Sequence, residues 1–228
     1  MMGITGYYLG CPIWSFKGWV GNLFSTGAKP GDFLRQYASV FNTVEGNTTF
    51  YAVPDEKTVE RWRLEAPAGF HFCFKLPRTI THDKRLRQAE AEIEAFFARL
   101  APLGSRLGPF LIQLPPSFGP ADLPTLASVV KGLPPAYGYV VEVRHRAFFA
   151  GGKEEQALNG LLVNLGVDRA LFDTRALRTA DPSDPIVAGA QQRKPDLPVH
   201  PVATASHQVY GVGHEDGTLV PVQAAART

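Results

Sequence analysis

Short apolar or alternating runs, separated by longer segments of helical character, predict an α/β fold of repeated β-α units around a parallel sheet. Size agrees: 228 residues, 45% hydrophobic and 19% charged, can bury a full core as one domain over 1–228, and α/β barrels commonly form single domains at about this length. Seven runs read as strands, over 7–11, 43–50, 71–76, 109–114, 139–145, 169–174 and 208–212.

Helices are expected between them. Over 32–40, Phe33, Tyr37 and Val40 share one side; over 57–65 the apolar set is Val59, Trp62 and Leu64. The longest, 85–103, repeats Ile93, Phe96, Phe97 and Leu100 at helical spacing. Segments 122–133 and 154–165 complete the series, with Gly166 as a stop signal. The stretch 175–201, with prolines at 182, 185, 195, 198 and 201, reads as a mobile excursion rather than a β-α unit.

The formal net charge of +2 is too mild to imply nucleic acid by itself. Cys11 and Cys73 lie in apolar stretches without a Cys-x-x-Cys partner and read as reduced core thiols. The N-terminus lacks a secretory pattern, and no run approaches the roughly 18 apolar residues of a membrane span, so a cytoplasmic location is expected and no membrane partner.

The most informative stretch runs from Thr43 to Tyr51, because it puts Glu45 and Asn47 in a strand that should be apolar. As strand residues two apart, they share one face. A carboxylate inside a fold needs a cation or several hydrogen bonds, which makes it either a structural ion pair or part of a functional site.

Several segments together are recognisable. They are Leu9-Gly10-Cys11-Pro12-Ile13-Trp14-Ser15-Phe16 with Trp19, Phe41-Asn42-Thr43-Val44-Glu45-Gly46-Asn47-Thr48-Thr49-Phe50-Tyr51, Arg61-Trp62, Pro67-Ala68-Gly69-Phe70-His71-Phe72-Cys73-Phe74-Lys75, Ile80-Thr81-His82, Gln113-Leu114-Pro115-Pro116-Ser117-Phe118, Val141-Glu142-Val143-Arg144-His145 and Arg193-Lys194-Pro195-Asp196-Leu197-Pro198. The chain thereby resembles the YecE-like family, domain of unknown function seventy-two, over about 8–214, with a divergent tail at 215–228. The resemblance implies a TIM-type β/α barrel and little about chemistry. The chain departs from it at Cys11-Pro12-Ile13, where a small polar turn is usual, and at Gly46, where an aliphatic residue is usual. It also implies a final helix and strand that this chain lacks, so the expected barrel is incomplete, without its eighth β-α unit. The first and seventh strands would then be unpaired edges that favour self-association. Thr218 to Val222 is the one remaining strand-like segment, and Pro221 spoils it as a ladder.

Barrel enzymes work from the C-terminal ends of their strands. Collected there, Glu45, Lys75, Glu142, Arg144 and Asp173 are the catalytic candidates, and Trp14, Asn47, Tyr51, His82, Gln113 and His145 the ligand-binding ones. Acids and bases at one mouth suit acid-base work on a polar substrate, with Lys75 and Arg144 holding an anionic group. A ring of interior salt bridges, Glu45 to Lys75 and Glu142 to Arg144, is the competing reading. Glu45, Glu142, His145, Asp173 and His207 offer metal-ligand types without a compact spacing motif, so no metal is assigned. Trp14, Trp19, Phe50 and Tyr51 read either as an aromatic wall for a base or sugar ring or as core and rim packing. No phosphate-cradling glycine loop, nucleophile elbow or dinucleotide fingerprint occurs, and no cofactor is assigned.

The expected function is a barrel enzyme acting on a small anionic ligand such as a sugar phosphate or nucleic-acid fragment. The alternatives are a non-catalytic ligand- or nucleic-acid-binding module using the aromatics near Trp14 with Lys75, Arg78 and Lys84, and an inactive truncated relative.

Overall fold

The fold was analysed in a computed structural model that describes residues 8–170, Ser183 and the backbone of 210–212. The expected excursion at 175–201 (Ser183 apart), the tail, and Asp173 and His207 lie outside the described residues. The chain divides into two compact units, one comprising Met1–Arg78, Glu90–Phe110 and Gln208–Thr228, the other Thr79–Ala89 and Leu111–His207.

In the first unit the strands are β1 (Tyr8–Gly10), β2 (Thr43–Gly46) and β3 (His71–Phe74), with helices α1 (Phe33–Tyr37), α2 (Thr48–Tyr51), α3 (Glu56–Glu65) and α4 (Glu90–Leu100). β2 and β3 pair in parallel, Glu45 opposite Cys73. β1 pairs in parallel with a later strand at Tyr210–Val212, Tyr8 opposite Tyr210. That pairing corrects the expectation that both strands are unpaired edges: the first and seventh pair with each other.

β1 and β2 are joined by other means. The Tyr37 hydroxyl accepts from the Cys11 backbone N–H at 2.6 Å and donates to the Thr43 carbonyl at 3.1 Å, and Glu45 N–H donates to the Cys11 carbonyl at 3.1 Å. Gly10 allows this approach, since a Cβ there would run into the Thr43 carbonyl.

One face of the β2–β3 pair is aromatic. Phe72 and Phe74 lie parallel to each other at 5.3 Å and both stack on Trp62 of α3, at 6.0 and 5.4 Å, while Trp14 meets Trp62 edge-on at 5.2 Å. Gly46 belongs to this packing, because any Cβ at that position would overlap the Phe74 ring. Asp55 opens α3 by accepting the Thr58 N–H at 2.8 Å.

Three expectations for this unit need correction. Strand β2 ends at Gly46 rather than at residue 50: Asn47 turns into helical backbone, and the Thr49 hydroxyl is held by the Gly46 and Lys75 carbonyls at 3.0 and 2.7 Å. Side-chain capping of this kind overrides the strand propensity of Thr-Thr-Phe-Tyr. Val40 and Leu64, expected to be apolar contacts, are 60% and 68% exposed, because α1 stops at Tyr37 and Leu64 falls off the buried stripe of Val59 and Trp62. The long helix begins at Glu90 rather than 85.

The second unit carries β4 (Phe110–Gln113, whose first residue belongs to the first unit), β5 (Tyr139–Glu142) and β6 (Asp168–Arg169) in that order across one sheet, with α5 (Leu123–Gly132) and α6 (Lys153–Leu165). β5 and β6 are parallel. Helix α6 ends as expected at Gly166, whose left-handed φ of 67° places its N–H on the Leu162 and Val163 carbonyls. Ahead of α4, residues 79–83 form a wide π-type turn, and Arg85, Leu86 and Gln88 hold positive φ of 51°, 64° and 51°. That backbone cannot continue a helix, which explains the late start of α4. Buried Arg169 donates to Glu155 and Asn159 of α6 at 3.1 and 2.8 Å and to the Phe148 carbonyl at 2.6 Å.

A pH effect follows from the start of β3. His71 is half-buried, edge-on to the Tyr8 ring at 4.9 Å, and burial holds its pKa below the ordinary imidazole value of 6.5. Its stabilising contribution is complete above pH 6.5 and is lost as pH falls from 6.5 through the lower folded value, because only the unfolded chain takes up the proton there. The difference in urea midpoints between wild type and His71→Phe should change between pH 7.5 and 5, the wild type losing more; parallel curves would refute the assignment.

Candidate functional site at the strand ends

Alternation along β3 decides which way the polar groups point. Phe72 and Phe74 face α3, so Cys73 and Lys75 lie on the opposite side, together with Glu45, which stands opposite Cys73 in the ladder. There the Lys75 ammonium meets the Glu45 carboxylate at 2.6 Å, with side chains only 11% and 8% exposed. Cys73 is half-buried on the same face, and burial, then the Glu45 carboxylate, push its thiol pKa up, so it stays protonated. Asn47 does not share a strand face with Glu45; its side-chain amide donates to the Pro12 carbonyl at 3.0 Å and ties the loop after β1 to the end of β2.

The second unit repeats the theme. Arg169 faces α6 and is the ladder partner of Val141, which leaves Glu142 on the other face. Glu142 is buried at the last position of β5, and its Oε1 accepts from Gln113 Nε2 at 2.7 Å and from Arg144 Nε at 2.8 Å. The Arg144 side chain is 44% exposed. His145 uses Nδ1 to accept the Ala147 N–H at 3.2 Å, capping the short helical turn at Arg146–Phe149.

Of the remaining candidates, Trp14 is buried against Trp62 and Phe72, Tyr51 is 81% exposed with its ring edge-on to Phe50 at 5.2 Å, and His82 is half-buried with Nδ1 2.9 Å from the Thr81 hydroxyl. Trp19 stacks on Tyr37 at 6.0 Å. The structure therefore brings Glu45 together with Lys75, and Glu142 together with Gln113 and Arg144. Among the described residues no group of three or more His, Cys, Asp or Glu gathers as a metal site.

Sequence reasoning missed Asp122, which is buried and paired with Arg85 and Arg87 at 2.7 and 3.0 Å. Both arginines had been assigned to the start of a helix. An acidic residue just ahead of the apolar run of α5 was the available signal, and it reads as an ordinary cap.

Parallel strand pairs flanked by helices, with acid-base pairs at the strand C-terminal ends, define a mixed α/β protein. The family is given by comparison with known sequences: the family model described as "Protein of unknown function DUF72" matches residues 8–217, and the chain belongs to that family. The UPF0759 protein YecE of Escherichia coli K12 is 43% identical over 212 residues, covering 92% of this chain and 75% of that protein. The UPF0759 protein YunF of Bacillus subtilis is 32% identical over 91 residues, 37% of this chain and 32% of its own length. Among solved structures, a DUF72 family protein of Thermotoga maritima superimposes with TM-score 0.62 at 28% identity, over 73% of this chain and 65% of that one. One from Enterococcus faecalis gives 0.60 at 23% identity over 72% of this chain and 60% of the other, a likeness of fold alone. The chain thus spans somewhat less than two thirds of the length of these solved relatives. Among the described residues no helix is long and apolar enough to cross a membrane.

Proposed function

We propose that the chain is a TIM-type β/α-barrel enzyme, acting in the cytoplasm on a polar anionic ligand such as a sugar phosphate or a nucleic-acid fragment. The observation that carries this reading is Arg144, whose guanidinium is oriented by a buried carboxylate, Glu142, while its side chain stays 44% exposed. A guanidinium fixed in this way has less rotamer entropy to lose when it grips an oxyanion. The parallel strand pairs and the Glu45–Lys75 pair on a helix-averted face support the barrel and its polar interior. In this reading Arg144 holds the anion and Glu142 is the acid-base group beside it in the second unit, and Lys75 with Glu45 is the corresponding pair in the first. The free thiols of Cys11 and Cys73 suit a reducing compartment.

A thermal-shift series with inorganic phosphate, sugar phosphates and short oligonucleotides tests it. A ligand at 100 times its Kd stabilises the folded state by about 2.7 kcal/mol. Arg144→Met should weaken that ligand at least about tenfold, the scale of one charge-assisted hydrogen bond. Ligand-free stability should change by less than about 1 kcal/mol, since the pair is solvent-screened and Gln113 still serves Glu142. No shift with any of these ligands, or unchanged affinity in the variant, would overturn the proposal.

A further inference from the structure

In the second unit two chain segments, 85–87 and 117–122, meet around one carboxylate. Asp122 is 8% exposed; its Oδ2 accepts from Arg85 Nη2 at 2.7 Å and from the Gly119 N–H at 2.9 Å, and its Oδ1 from Arg87 Nη2 at 3.0 Å. Arg85 also donates to the Ser117 carbonyl at 3.0 Å. The segment that supplies both arginines holds Arg85, Leu86 and Gln88 at positive φ, a backbone unfavourable for residues with side chains, so the ion pairs and hydrogen bonds must hold it there.

The clamp reaches His145 through Gly119. A Cβ at Gly119 would stand 3.1 Å from His145 Nε2 and 3.2 Å from its Cδ2, closer than a side chain tolerates without displacing the ring. On its other edge the imidazole accepts the Ala147 N–H at Nδ1, and its plane meets Phe148 edge-on at 5.8 Å. With Nδ1 acting as acceptor, the neutral ring carries its hydrogen on Nε2, on the edge that Gly119 leaves uncovered. Arg144 precedes it in the chain.

We propose that Asp122 and Gly119 are positioning residues for His145: the arginine-clamped carboxylate fixes the loop at Gly119 so that His145 presents Nε2–H to an oxyanion of the ligand. This rests on the anion-site reading above and adds His145 to it. The role of Asp122 is indirect, through the Gly119 backbone.

The test uses the full chain, its histidine ring nitrogens observed by long-range proton–nitrogen NMR at pH 8, with inorganic phosphate as the probe. Wild type should show His145 as the Nε2–H tautomer, and phosphate should move its Nε2 resonance. Gly119→Ala and Asp122→Asn should each mix the tautomers and weaken the phosphate response about tenfold, the loss of one charge-assisted hydrogen bond. Asp122→Glu, which keeps the charge, should recover part of the response. A wild-type ring protonated at Nδ1 overturns the proposal without any variant. So does either variant that keeps the native amide spectrum together with the wild-type tautomer and response. Tautomer control lost in the variants, with no phosphate response in wild type, would uphold the positioning and sink the anion-site reading instead.

Discussion

Lys75→Met is expected to lower stability by about 3–5 kcal/mol, because it leaves the Glu45 carboxylate buried opposite an apolar chain. For a chain of this size that corresponds to a melting point roughly 6–20 °C lower. A Glu45→Leu/Lys75→Met double variant should regain most of the stability, since removing both charges also removes the cost of desolvating them. Thermal melts of the two variants beside wild type check this. Lys75→Met within about 1 kcal/mol of wild type would show that the pair contributes little to the fold, and loss of ligand binding at unchanged stability would assign Lys75 to recognition alone.

Phe72→Ala should be equally damaging by a different route. Phe72 is fully buried, with its ring centroid 5.0 to 6.0 Å from those of Phe70, Phe74, Trp14 and Trp62. Truncating a buried phenylalanine costs about 3–5 kcal/mol, the lost transfer energy plus the cavity that stiff aromatic neighbours cannot fill. Leu64→Ala, on the exposed side of α3, should stay within about 0.5 kcal/mol of wild type. Urea midpoints of the two variants decide it, and a Phe72→Ala loss below about 1.5 kcal/mol would mean that the aromatic stack collapses into the gap.

The β-α alternation was legible because each strand is a short apolar run bounded by polar or proline-containing turns: six of the seven runs contain an observed strand, and the sixth, 169–174, meets its strand, Asp168–Arg169, only at Arg169. Boundaries fared worse wherever a side chain or backbone carbonyl far away in sequence intervened. Thr49 is drawn into a helical turn by the carbonyl of Lys75, 26 positions on. The periodicity of Phe96, Phe97 and Leu100 is real but does not extend back over residues 85–89, where Arg85, Leu86 and Gln88 hold positive φ beside the ion pairs of Asp122. Glu45–Lys75 and Glu142–Arg144 could be paired in advance, since strand parity and register put them side by side. No local pattern announces the Tyr37 hydroxyl between Cys11 and Thr43, because a buried tyrosine in a helix looks like any other core residue.

The fit of the Phe74 ring over Gly46 also bears on how this chain can change over time. Position 46, where the family resemblance leads one to expect an aliphatic side chain, is empty here because Phe74 occupies its space. The two sites share one volume, so neither can vary independently. A branched residue at 46 becomes acceptable only once 74 has shrunk, and a smaller residue at 74 leaves a void until 46 has grown. The pair is therefore epistatic, and the single-step route between the two arrangements passes through an intermediate that is either overfilled or hollow.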